Sequence, residues 1–127
     1  MSAFKESAKR HWRDRKTGLL GPVRVPEWPN EDGSAAQLFA RPLTAQERFR
    51  VRALLAADSK TSDAELLIIL ARDVEGKKIW TQPERNEIAD NYDPQVVGAA
   101  AIDLLRLLGE MSEDQEEETD QDVAKNC

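Results

Sequence analysis

One stretch limits what this chain can fold into: Glu65-Leu66-Leu67-Ile68-Ile69-Leu70-Ala71-Arg72-Asp73-Val74-Glu75-Gly76. Its apolar residues do not share a single stripe. At helical spacing Leu66, Leu70 and Val74 line one side, Leu67 and Ala71 the next, and Ile68 and Ile69 continue round. A helix that is apolar on nearly every side must be enclosed by other elements, so the rest of the chain has to form its shell. The apolar run alone also fits a buried strand. Length and flanking residues favour the helix, because Ser62 and Glu65 have capping-box spacing and Gly76 stands where a left-handed stop belongs. The spacing therefore predicts a central helix over 63–75.

A chain of 127 residues has the length of one domain, large enough for one modest core. Its formal net charge of -6 argues against nonspecific binding to nucleic acid or to an anionic membrane. The one cysteine, Cys127, has no partner for an internal disulfide, which suits a reducing compartment. No apolar run is long enough to span a bilayer, and the first residues carry no apolar signal core. The expectation is a soluble intracellular protein with its folded domain over 1–109 and an acidic flexible tail over 110–127.

Residues 3–16 read as a basic helix with a narrow stripe of Phe4, Ala8 and Trp12. Two readings stand. One is a short helix docked by Phe4 and Trp12 with its charges in water. The other is a nucleic-acid arm in which His11 and Trp12 stack on bases. The first is preferred, since no fold-level nucleic-acid motif accompanies the second. From Gly18 to Thr44, Gly21, Pro22, Pro26, Pro29 and Gly33 exclude helix across most of the span. Val23-Arg24-Val25 and Gln37-Leu38-Phe39-Ala40-Arg41 alternate around a turn at 29–34, which predicts a β-hairpin over about 23–41, with Pro26 at an edge or at the strand's end.

A capping box of Thr44 and Glu47 opens a helix over 44–57. This helix has two apolar sides: Val51, Leu54 and Leu55 on one, and Ala45, Phe49, Ala53 and Ala56 roughly opposite. Either both are buried or one is kept for a partner. Arg48, Arg50 and Arg52 read as a solvated face. After the central helix, Ile79 and Trp80 are expected to fold back as core. Thr81, Pro83 and Glu84 start a short helix over 83–91, and Asp93-Pro94 starts a last one over 94–108. Its apolar face comprises Val96, Val97, Ala100, Leu104, Leu107 and Leu108, with Ile102 standing apart. Beyond Glu110 the acidic residues repel one another and nothing apolar offsets them. The fold class expected is mainly α (α+β), a small helical domain with one hairpin.

No nucleophile–base pair, P-loop, dinucleotide fingerprint or metal-ligand spacing occurs in the sequence, so neither an enzyme nor a cofactor is expected. Three groups of residues instead carry a resemblance. Val23-Arg24-Val25-Pro26-Glu27-Trp28 leads through a loop to Phe39-Ala40-Arg41-Pro42-Leu43-Thr44, with Glu47-Arg48 in the next turn. Asp73-Val74-Glu75-Gly76-Lys77-Lys78-Ile79-Trp80-Thr81 follows, and an acidic segment closes on Lys125-Asn126. That order resembles the tail assembly chaperones of long-tailed bacteriophages and their prophages.

The resemblance implies a non-catalytic protein of the host cytoplasm. It would coat the tape measure protein, which sets tail length, and recruit tail tube subunits, with self-association left open and no nucleic-acid or membrane partner. It also implies a ribosomal frameshift near the end of the gene, for which Lys125 and Asn126 mark the candidate position. On the residues alone, Phe49 and Ile102 are the candidate partner-binding side chains, each lying off its helix's main apolar face. A structural head–tail connector or minor tail component, and a small nucleic-acid-binding regulator, are the alternatives.

Overall fold

The computed structural model describes residues 3–110. It contains the helices α1 (Ala3–Arg15), α2 (Ala45–Ala57), α3 (Ser62–Leu70), α4 (Arg85–Asn91) and α5 (Pro94–Leu107), and an antiparallel hairpin of β1 (Leu20–Pro29) and β2 (Ala35–Ala40). A single 3-10 turn, Gln82–Glu84, leads into α4. The architecture is mainly α with one hairpin, as the turn chemistry and helix caps predict.

The central helix is α3. Seven of its nine residues are buried, Leu66, Leu67 and Leu70 almost completely. It packs against α5, α2 and α4, while α5 also covers the hairpin. Gly98 of α5 permits one close approach, since a Cβ there would stand 3.2 Å from Asp63 Oδ2. Val23, Val25, Leu38 and Ala40 face the same core from the hairpin, one face of a pleated strand pair. Leu66, Leu67, Ile69, Leu70, Trp80 and Leu104 are all buried, as expected.

The ends of α3 differ from the expectation. It stops at Leu70 rather than near residue 75, and Ala71 is already extended. The cause is a better use for the following backbone. Phe39 and Arg72 exchange two hydrogen bonds of 2.8 Å, and Arg72 also bridges Lys78, so residues 72–78 add a small antiparallel ladder beside β2. Val74 is consequently 69% exposed rather than on the helix's apolar side. Gly76 turns this ladder instead of stopping a helix, with φ +86° and a position where a Cβ would lie 2.8 Å from an Arg41 nitrogen. At the other end, Ser62 and Glu65 do not form a capping box. Ser62 is the first helical residue, and its Oγ accepts from Ser59 N at 2.8 Å.

The caps of the other helices follow the sequence. Thr44 N donates to Glu47 Oε1 (2.9 Å) and Glu47 N donates to Thr44 Oγ1 (3.1 Å) at the start of α2. Thr81 N donates to Glu84 Oε1 at 3.0 Å, and Gln95 N donates to Asp93 Oδ1 at 3.0 Å ahead of α5. The buried face of α5 is turned relative to the prediction: Ala101 and Leu105 are buried, while Leu107 is exposed and Leu108 only half-buried. The hairpin is also longer than 23–41 on its first strand. β1 runs through Pro26, with register irregularities between Leu20 and Val23 and between Val25 and Pro29. A two-stranded sheet has only edges, so a missing N–H is accommodated there. At the hairpin loop, hydrogen bonds from the Ser34 hydroxyl and backbone N–H hold the Asp32 carboxyl below its usual range.

Candidate partner-binding surfaces

The outer side of α2 is the first surface. Val51 is fully buried and Leu54 half-buried, so the expected inward side packs on α3, although Leu55 is exposed. The opposite side, Ala45, Phe49, Ala53 and Ala56, is exposed along its length. Phe49 is 76% exposed, so the fold does not use it as core. It lines an open groove of about 540 Å³ with Trp12, Leu43, Thr44, Arg48 and Arg52. Ile102 stands elsewhere, half-buried on α5, and does not line that groove. The structure therefore places the two candidate side chains on different helices without joining them in one groove.

The groove's other wall is α1. None of the described residues of α1 is buried, and Phe4 is 85% exposed rather than buried against the body. Trp12, half-buried, lines the grooves between α1 and the segment from Pro42 to Phe49. The α2 arginines are all exposed, as expected of a solvated face, and two of them also form ion pairs. Arg48 Nε pairs with Glu110 at 2.9 Å, Arg50 pairs with Glu65 at 3.5 Å, and Arg52 is exposed. Glu65, with a side chain 13% exposed, also meets Arg85 at 3.6 Å and accepts from Gln82 Nε2 at 3.3 Å. It thereby ties α2, α3 and the entry to α4 together.

The second surface was not foreseen from the sequence. Trp28 from β1, Trp80 after the ladder and Tyr92 at the end of α4 meet edge-to-face, with ring centroids 5.8, 5.7 and 6.2 Å apart. Trp80 Nε1 donates to Tyr92 Oη at 3.2 Å, so the buried indole keeps a polar partner. These rings form the wall of an open groove of about 800 Å³, continued by Ala36, Leu38 and Ile79. Ile79 faces this groove and is 36% exposed rather than core. The only sequence trace was the presence of an aromatic beside each of three turns. Their convergence depends on the path of the chain.

Behind the ladder lies a polar knot. Arg41 Nη2 and Arg72 Nη1 both donate to the Gly76 carbonyl, at 2.8 and 3.0 Å. Burial and the neighbouring Arg41 charge push the Arg72 guanidinium below its ordinary value, opposed by Glu47. Asp73 Oδ1 accepts from Glu75 N and Lys77 N, closing the turn. The two motifs around Arg41 and Gly76 thus pack on each other, which gives their residues a shared structural reason.

Among the described residues no group of three or more His, Cys, Asp or Glu is placed to hold a metal ion, and no helix is long and apolar enough to cross a membrane. No protein-family model matches the chain, and no curated protein matches it. Among solved structures it matches the tail assembly chaperone of bacteriophage HK97, with a TM-score of 0.56 at 19% sequence identity. The chain has a tail-assembly-chaperone-like fold. The match covers 81% of this chain and 98% of the HK97 protein. At this identity the likeness is one of fold.

Proposed function

We propose that this protein is a phage tail assembly chaperone that coats the tape measure protein and recruits tail tube subunits in the host cytoplasm. The observation that carries the reading is a fold matched over nearly the whole HK97 chaperone. It is supported by an apolar helix side that the fold leaves in water. A tape measure is a long helical chain with apolar seams, and such seams aggregate unless covered. A helix presenting Phe49 between small alanines offers a flat apolar strip to an amphipathic helix. Arg48 and Arg52 beside it supply partners for acidic residues on that helix. Ile102 on α5 is the second proposed contact.

Co-expression with the tape measure protein tests the proposal. The tape measure should move from the insoluble to the soluble fraction when this protein is present and copurify with it. A tape measure equally insoluble with and without it would end the chaperone reading. Lys125 and Asn126 lie outside the described residues, and the proposed frameshift there is tested separately. Mass spectrometry of the natural gene's products should show a second, longer form sharing residues 1–124.

A further inference from the structure

The groove between α1 and α2 lies where the described chain hands over to its acidic segment. At the end of α5, Gly109 N donates to Arg106 O and Glu110 N to Leu105 O, turning the chain back. Glu110 is then held by Arg48 at 2.9 Å, and its side chain is only 13% exposed. Glu110, Arg48, Trp12, Arg15 and Leu43 line one groove. Trp12, Leu43 and Arg48 also line the neighbouring groove of Phe49 and Arg52. The chain thus leaves its last described residue inside a basic and aromatic surface.

The charges on the two sides are opposite. Residues 111–122 hold Glu113, Asp114, Glu116, Glu117, Glu118, Asp120 and Asp122 with no Lys or Arg. The facing surface holds Arg13, Arg15 and Lys16, all exposed, together with Arg48 and Arg52. Along α1, Lys5, Lys9 and Arg10 continue the positive charge, against Glu6 and Asp14. Reach is sufficient. Fully extended, residues 111–122 span about 40 Å, whereas α1 is about 20 Å long. α1 has no buried residue, and its cations stand exposed along it.

We propose that the acidic segment 111–122 docks in cis on the basic surface formed by the C-terminal half of α1 and the start of α2, with the Glu110–Arg48 pair as its first contact. The segment would neutralise the cations beside Phe49 and cover part of that groove. If Phe49 serves as proposed above, an incoming partner must displace it. The docking itself stands without that reading.

Paramagnetic relaxation in the full chain tests the docking. A nitroxide is placed at Glu117→Cys in a Cys127→Ser background, and amide intensities are read at low protein concentration. Amides of residues 10–16 and 44–52 should lose most of their intensity, while Lys78 and Asn91 at the aromatic groove should not. Raising salt from about 0.1 M to about 1 M shortens the screening length from about 10 Å to about 3 Å and should restore the lost signals. The exposed-site double variant Arg15→Glu/Arg52→Glu should restore them too, with the remaining amide spectrum reporting that the fold is kept. Broadening no greater at α1 and α2 than at the aromatic groove would overturn the proposal. So would broadening insensitive to salt, or broadening seen only when labelled and unlabelled chains are mixed, which would mark a second copy as the occupant.

Discussion

Helices α1 and α3 are built from opposite materials and held in opposite ways. Of the nine residues of α3 seven are buried, and of the thirteen of α1 none is. α3 contains almost no polar side chain after Glu65 and is enclosed by α2, α4 and α5. α1 has cations through most of its length and meets the body around Trp12. Burial of large aliphatic side chains stabilises by roughly 1.5–3 kcal/mol each. A half-buried tryptophan and screened surface charges supply far less. This fold is therefore organised from α3 outwards, and α1 and the adjoining side of α2 form a surface rather than a structural layer.

The largest effect should come from opening the space around α3. Leu70→Ala removes a side chain 1% exposed and should cost roughly 2–5 kcal/mol in chemical denaturation. A loss below about 1 kcal/mol would deny α3 its central place. Next comes the ladder that ends α3. Gly76→Ala introduces a Cβ at positive φ and 2.8 Å from Arg41, and should cost roughly 1–3 kcal/mol. A neutral result would show that the Arg41–Gly76–Arg72 knot is not rigid.

A matched pair then sharpens the contrast between the helices. Ala64→Gly in α3, at a site 2% exposed, should lower global stability by about 1 kcal/mol or more. Ala8→Gly in α1 should lower local helicity yet leave the unfolding midpoint within about 0.5 kcal/mol of the parent. Equal losses at the two sites would mean that α1 folds as part of the same cooperative unit.

What could be read in the sequence follows the same division. The caps at Thr44, Thr81 and Asp93 act through residues two or three positions away, so local spacing was enough to place α2, α4 and α5. The burial of α3 was legible because a helix apolar all round has no other stable environment. Its C-terminal end was not. Whether residues 71–75 extend the helix or pair with Phe39 depends on a partner more than thirty positions away. The rotation of α5, with Leu105 in place of Leu107, is set by the position of α3 and the hairpin. The exposed side of α2 was visible as a second apolar side, and the structure resolves the open choice at Phe49 in favour of exposure. The aromatic groove joins residues 28, 80 and 92, a convergence no local pattern announces.

The claim that the Phe49 side is spare for the fold and used for a partner is tested most directly by one variant read in two ways. Phe49→Ala should leave the thermal unfolding of the isolated protein essentially unchanged, because the ring is 76% exposed. In the same preparation it should weaken the complex with the tape measure protein by roughly 1–2 kcal/mol or more, as loss of a well-packed anchor does. A marked fall in unfolding temperature, or a complex as tight as that of the parent, would contradict the account.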